Sequence, residues 1–327
     1  MGVRVKRYWK APEPEPGSFS EDDLVEELRT KLDHAVSSHL ESEVPLGAFL
    51  SGGLDSSTVV ALMCRHASSR VRTFSIGFSE DKFDESHAAR EIGNSLGTKH
   101  TELILRPNVE DTLESIALMF DEPFGDSSAI PTFFVAQLAR ESVTVALSGD
   151  GGDELFGGYE RYFSLLQRNR NFGGFGQLLS AAGLMLPHVV PGRNFMINAG
   201  RSSWGRYMAE VASAIRQDEG GVALPDSPGG MVKIEEQFLD RANDLWGDDV
   251  AASMMKTDLE TYLPGDILTK VDRTSMAVSL EARVPLLDVD LVDFAFRLPS
   301  SLRVTSAGGK LLFRRAIRGI VPSSVFG

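Results

Sequence analysis

A chain of 327 residues is long enough for one large or two ordinary domains with a full core. Its net charge of −13 argues against a nucleic-acid partner, which calls for a basic face, and its one cysteine, Cys64, excludes an internal disulfide and a cysteine-rich metal site. There is no signal-peptide-like apolar start and no run near the ~18 apolar residues of a membrane span, so a cytoplasmic protein without a membrane partner is expected.

The first residues, Met1 to Lys10, are basic and end in Arg7-Tyr8-Trp9-Lys10. Ala11 to Ser18 alternates proline with polar residues, which favours an extended, solvated linker. Ser20 with Asp23 reads as a helix start, and Leu24, Leu28, Leu32, Val36 and Leu40 follow at helical spacing. An apolar run, Val44 to Leu50, then leads into Ser51 to Ser57 (SGGLDSS), and a helix-like run, Thr58 to Cys64, leads out. Gly52 and Gly53 open backbone conformations closed to other residues and allow close approach to a ligand. Free N–H groups at the following helix start point at whatever the loop holds, as in a phosphate cradle. Asp55 suits such a cradle only if a cation lies between carboxylate and phosphate, as Mg²⁺ does. The loop is neither GxxxxGK[ST] nor GxGxxG.

Strand and helix then alternate. Val71 to Phe78 reads as a buried strand, Asp84 to Leu96 as a helix stopped by Gly97, and Thr101 to Leu105 as the next strand. A helix is expected around Val109 to Met119, then the polar segment Asp121 to Ser128 (DEPFGDSS). Pro131 opens a helix to about Glu141, and Val143 to Leu147 is a further strand. This alternation predicts an α/β fold: a doubly wound parallel sheet with helices on both faces, followed by a mainly helical C-terminal half.

A second loop, Ser148 to Tyr159 (SGDGGDELFGGY), carries five glycines and the carboxylates Asp150, Asp153 and Glu154. It misses the calcium-loop spacing. A flexible turn would explain it, but both glycine loops follow strands of one parallel sheet and open onto one crevice, so Asp153 is expected to join Asp55 on the metal. From Asn169 to Asp249 the sequence is weakly patterned, consistent with a helical insertion. Further on, Pro264-Gly265 should break a helix and Asp266 should cap the next. Lys270 and Arg273 share one side of that helix and repel unless an anion lies between them. Either Asp266 and Asp272 neutralise a solvated face, or Lys270 faces a polyphosphate. Glu281 and Arg283 are expected to form a buried ion pair. Helices from Asp290 to Arg297 and from Lys310 to Ile320 close the chain.

The loop at Ser51 resembles the SGGxDS PP-loop of the ATP pyrophosphatases, which cut ATP between its α and β phosphates. Six ordered segments extend the resemblance: VPLGAFLSGGLDSS, TFSIGF, LGTKHTEL, DEPFGDSS, LSGDGGDELFGGY, and YLPGDILTKVDRTSMA with SLEARVPLLD. Together they resemble the C-terminal synthetase domain of the glutamine-dependent asparagine synthetases, over about Ser20 to Pro322. The fold this implies is adenine nucleotide alpha-hydrolase-like. Residues 1–19 then correspond to a domain junction, and 20–327 to the synthetase domain, with a sheet core to about 165, an insertion over 169–249 and closing helices over 250–327.

What the resemblance implies is an ATP- and Mg²⁺-dependent ligase. The β-carboxylate of aspartate, or a similar carboxylate, attacks the α-phosphorus, pyrophosphate leaves, and ammonia converts the acyl-adenylate to amide and AMP. Ser51, Gly52, Gly53, Asp55 and Ser56 match the pyrophosphate-holding positions, with Asp55 and Asp153 on Mg²⁺. Leu50, Ile76, Ser148 and Gly149 match positions holding adenine and ribose. Asp150 matches an acidic position near the reacting acyl group, and Lys270 and Arg273 complete the catalytic set. Position 2 is Gly where the family's glutaminase domain has its nucleophilic Cys, so ammonia is expected from a glutaminase domain outside this chain. The family's basic R-x-K-x-G-F stretch is also absent, and Thr101 stands where a second His is common. Adenylating relatives that close rings (β-lactam synthetases, lasso-peptide cyclases) or amidate cell-surface sugars, and a nucleotide-binding module without activity, share these motifs. A homodimer is the assembly considered.

Overall fold

The computed structural model describes residues 3–15, 20–78, 84–105, 114, 116–172, 175–187, 190–211 and 245–326. They fall into two compact units: Met1–Leu155 with Tyr262–Leu298 and Leu312–Gly327, and Phe156–Thr261 with Pro299–Leu311.

The first unit is built on five strands: β1 (Leu46–Phe49), β2 (Arg72–Phe78), β3 (Lys99–Leu105), β4 (Val145–Leu147) and β5 (Glu281–Arg283). All pairings are parallel, in the order β3-β2-β1-β4-β5. The chain runs outward from β1 to β3, then returns to the other side of β1 for β4. That reversal makes the gap between β1 and β4 the switch point where doubly wound sheets open a crevice at the strands' carboxyl ends. Both glycine loops leave from these two strands, in register Leu46↔Val145 to Ala48↔Leu147.

Helix α1 (Glu21–Ser38) starts as expected. Ser20 Oγ accepts from Asp23 N–H at 3.4 Å, and Glu21, Asp22 and Asp23 suit the positive end of the helix. Leu24, Leu28, Leu32 and Val36 are its buried face. Helix α2 (Leu54–His66) begins four residues earlier than its apolar run. α3 (Ser86–Ser95) and α4 (Ala129–Arg140) lie close to their expected bounds, with Gly97 at φ 70° just past the first. Most of the helix expected over Val109 to Met119 lies outside the described residues. The proline linker is not simply solvated: Ala11 is buried, Trp9 Nε1 donates to Asp293 Oδ1 at 3.1 Å, and Glu15 N–H donates to the Arg297 carbonyl at 2.9 Å.

Three local expectations change. The break falls at Thr261, not Pro264-Gly265. A π-helical segment, Leu263–Leu268, carries Pro264 in its first turn and runs directly into a helix over Thr269–Met276. Proline is tolerated there because first-turn N–H groups have no partner to lose, and Thr269 Oγ1 donates to the Pro264 carbonyl at 2.8 Å. Asp266 therefore lies inside a continuous helical track and is not a cap. Glu281 and Arg283 do pair, at 2.6 Å, but at the surface, with Glu281 56% exposed, and they form strand β5. Arg283 Nη1 also donates to the carbonyls of His39 and Glu41.

The second unit contains helices Glu160–Phe172, Gly176–Met185, Arg193–Ala199, Ser203–Val211 and Val250–Glu260, with a short antiparallel hairpin of β6 (Val304–Thr305) and β7 (Gly308–Gly309). Its polar centre is Asp258, which is fully buried. The carboxylate accepts from Arg161 Nη2 at 2.8 Å, from Tyr207 Oη at 2.5 Å and from Tyr162 Oη, joining three helices. Removing the acid takes the carboxylate from a half-buried guanidinium and two buried hydroxyls. Asp258→Ala should therefore cost about 3–5 kcal/mol, read as a lower denaturant midpoint, with the loss shared by Asp258→Asn only in part.

Candidate active site

At the end of β1 the chain turns at Gly52, whose φ is 86°; a Cβ there would sit 2.8 Å from Ala88 Cβ. Two serines brace the turn. Ser51 N–H donates to Ser56 Oγ at 3.2 Å, and the Ser51 and Ser56 hydroxyls are 3.0 Å apart. Gly53 caps α2 through its backbone with no side-chain cap, so Leu54, Asp55 and Ser56 form the first turn of a 13-residue helix. Asp55 is thus on a helix start, where the dipole favours negative charge.

The loop after β4 closes on this turn. A Cβ on Gly149 would fall 2.6 Å from the Ser56 backbone nitrogen, and one on Gly152 would fall 2.5 Å from Asp55 Cγ. The backbone of the second loop is therefore in contact with the Asp55 carboxylate, and Asp153 is the next residue. Among the described residues no group of three or more His, Cys, Asp or Glu could hold a metal alone. Two carboxylates on adjoining loops are the hard donors Mg²⁺ takes when phosphate oxygens and water complete its shell. The donor set fits that ion.

Asp150 follows Gly149. Burial pushes its carboxyl up; a 2.5 Å bond from Ser148 Oγ and the nearby Lys270 charge oppose the shift, and Asp153 adds to it. It therefore keeps its proton to higher pH than an ordinary aspartate.

A cleft of about 600 Å³ opens beside β1 and β2. Leu50, Ser51 and Ile76 line it, joined by Phe74, Phe78 and Pro131. Its walls suit a flat apolar ring. Ser75 also lines it, and behind Ser75 stands His100, whose Nε2 is 3.1 Å from Ser75 Oγ and whose Nδ1 is 3.0 Å from Thr73 Oγ1. Burial lowers the pKa of that imidazole.

The helix Thr269–Met276 faces α4 and the segment before it. Lys270 Nζ donates to Asp126 Oδ2 and to Ser128 Oγ, each at 2.7 Å, and Lys270 is only 8% exposed. Asp126 also starts α4: its Oδ1 accepts from Ser128 N–H at 2.8 Å. Arg273 pairs with Asp121 at 2.6 Å, but in the open, at 44% and 81% exposure. Both cations thus meet the acidic segment, not Asp272. Burial pushes the Asp126 carboxyl up, but the bonds from Lys270 and Ser128 outweigh it and hold it below the usual aspartate range.

Ser51, Gly52, Gly53, Asp55 and Ser56 are thus gathered at one turn, with Ser148, Gly149, Asp150 and Asp153 on the loop packed against it. Leu50 and Ile76 are in the adjoining cleft. Lys270 is beside Asp126, while Arg273 is at the surface. The phenylalanines of the cleft and the Asp126–Lys270 pair have no local signal in sequence, the pair being 144 residues apart.

Sheet and loops together define a doubly wound α/β protein with an SGGxDS loop at its switch point. A family model described as asparagine synthase matches residues 27–327, and the chain belongs to that family. It is 34% identical over 327 residues to asparagine synthetase [glutamine-hydrolyzing] 1 of Bacillus subtilis, covering 99% of this chain and 51% of that protein. A putative asparagine synthetase [glutamine-hydrolyzing] of Mycobacterium bovis is 36% identical over 318 residues, covering 92% of this chain and 46% of that one. The chain spans about half the length of the curated relatives it matches. No helix among the described residues is long and apolar enough to cross a membrane.

Two outcomes follow. Gly152→Ala should push a methyl into the Asp55 carboxylate and weaken nucleotide binding at least about tenfold by calorimetry, a change of about 1.4 kcal/mol. Asp126 has a depressed folded pKa, so its stabilisation is complete above the unfolded value of ~3.9 and is lost as pH falls through the lower folded one. Asp126→Asn should accordingly lower Tm at neutral pH, and the gap to the parent should close below about pH 4.

Proposed function

We propose that this chain is an ATP-dependent amide ligase that forms AMP and pyrophosphate, activating the aspartate β-carboxylate and passing it to ammonia to give asparagine. The observation that carries this reading is the contact of the two glycine loops at the switch point, with Asp55 against Gly152. Family membership supports it, since the relatives above bear the name asparagine synthetase.

In this reading the apolar cleft binds adenine, between Leu50 and Ile76, and leaves the polyphosphate at the Ser51–Ser56 turn. Ser51, Ser56 and the first-turn N–H groups of α2 hold the departing pyrophosphate, which carries most of the developing charge. Asp55 and Asp153 would hold Mg²⁺, which when bound neutralises phosphate charge. Asp150, with its raised carboxyl pKa, takes a proton from the attacking amine nitrogen, as a base does best when its pKa approaches working pH. Lys270 supplies positive charge on the acid-substrate side, and Arg273 fastens the segment at Asp121 from outside. The relatives' names include glutamine hydrolysis, so ammonia would come from a glutaminase domain, in the cytoplasm.

The experiment supplies ATP, Mg²⁺, aspartate and ammonium, and measures pyrophosphate and asparagine. Both should accumulate in equal amounts. Asp55→Ala should abolish pyrophosphate release while circular dichroism is unchanged. Absence of pyrophosphate from the parent chain with any acid would overturn the ligase reading, and pyrophosphate without asparagine would redirect it to another acid or amine.

A further inference from the structure

The stretch from Arg161 to Ala209 is opposite in charge to the chain that carries it. It holds six arginines and neither aspartate nor glutamate, in a chain of net charge −13. Arg161 is paired with Asp258. The other five precede, open or follow a hairpin of two helices, Gly176–Met185 and Arg193–Ala199. Arg206 donates to the carbonyls of Arg201 and Ala199 and to Asn169 Oδ1, all uncharged acceptors. Burial, with the Arg168 charge adding to it, pushes the Arg206 guanidinium down. Two cations therefore lie close together at one end of the hairpin.

The inner face of the hairpin is closed. A Cβ on Gly176 would fall 2.3 Å from the Ala199 carbonyl oxygen, and one on Gly183 would fall 2.9 Å from Met196 Cβ. The helices meet at these glycines with no space for a large side chain between them. The outward face carries Leu178, Ala181, Ala182, Leu184 and Met185, with Phe175 just before the helix. Phe175 is 75% exposed, Leu178 68% and Met185 87%. At spacings of three and seven they form one stripe. Gln177 is the one polar residue among the exposed positions of this helix, and none is charged. A solvated helix face normally carries charge, and an apolar face of this extent marks a docking surface.

The partner has to take apolar side chains and arginines together. A second copy does not suit, because a two-fold contact through this face sets each arginine cluster towards its own copy. An anionic lipid surface takes both, with the stripe in the boundary between headgroups and acyl chains and the arginines among the phosphates. The expectation of no membrane partner rests on the lack of a spanning run, and a helix that lies along a surface needs none. Repulsion from the acidic remainder of the chain is screened beyond about 10 Å.

We propose that the hairpin Gly176–Ala199 is a docking surface for an anionic lipid bilayer, entered by Phe175, Leu178 and Met185 and held by the flanking arginines. This reading stands apart from the ligase activity. The test is sedimentation of the full chain with vesicles of phosphatidylcholine alone and of phosphatidylcholine with an equal part of phosphatidylglycerol. Binding to the mixed vesicles should be at least about tenfold tighter, since each arginine near the surface contributes about 1 kcal/mol, and it should weaken as salt rises to about 1 M. Leu178→Glu with Met185→Glu, both at exposed positions, should weaken binding to the mixed vesicles at least about tenfold while circular dichroism is unchanged. Arg170→Glu should weaken it about fivefold and serves as the second variant if the first does not fold. No sedimentation with mixed vesicles, equal binding to both kinds, or full binding by these variants overturns the proposal. A concentration-dependent dimer in solution that Leu178→Glu with Met185→Glu abolishes also overturns it, by assigning the face to a second copy.

Discussion

Gly149 and Gly152 touch the first turn of α2, at Ser56 and Asp55, and the site depends on that contact. Two neighbouring parallel strands end at the same level, so the loops that leave them compete for one space. At ordinary side-chain size they would have to splay apart. With glycine at 149 and 152 the second loop instead packs its backbone onto the Asp55 carboxylate and the Ser56 nitrogen. The consequence is electrostatic as well as steric. Asp55 is held at a helix N-terminus by backbone, in a place where free N–H groups and carboxylates occur together. Such a place attracts a polyanion only with a cation shared between them.

Local charge, not net charge, decides what such a site binds. At −13 the chain as a whole repels ATP. Bulk repulsion, however, is screened within about 10 Å at ordinary ionic strength, while a buried ammonium is screened far less. Lys270 is such an ammonium. Its pairing with Asp126 and Ser128 fixes it in place. That differs from a surface lysine, which would give up most of its attraction to water and to side-chain entropy.

The sheet was legible because buried parallel strands read as short apolar runs: Leu46–Phe49, Arg72–Phe78 and Val145–Leu147 all lie within such runs. Strand β5 was not, since Glu-Ala-Arg carries two charges in three residues and pairs by backbone alone, Val145↔Glu281 to Leu147↔Arg283. The glycine loops were legible as composition, and their mutual contact followed from strand order. The Lys270 environment was not. Sequence spacing offered Asp266 and Asp272 as its neighbours, whereas its partner is a carboxylate that tertiary packing brings in. The π-helical segment escaped for a related reason: Pro264-Gly265 signals a break, and nothing local says that the hydroxyl of Thr269 will bridge the Pro264 carbonyl.

The two ion pairs of the helix Thr269–Met276 are unequal, and the inequality has a direction. Arg273–Asp121 is solvated on both sides, and pairs of that kind contribute about 0–1 kcal/mol. Lys270–Asp126 is enclosed, and breaking it by removing one partner leaves a buried charge uncompensated. The acidic segment Asp121 to Ser128 is therefore held firmly at its Ser128 end and loosely at its Asp121 end. The firm end is the one that begins α4 and lines the cleft through Ser127, Ser128, Ile130 and Pro131. Rigidity is thus concentrated at the end of the segment that lines the cleft. The loosely tied end carries Arg273 outward, so of the two cations that share one side of this helix, Lys270 is enclosed and Arg273 is solvated.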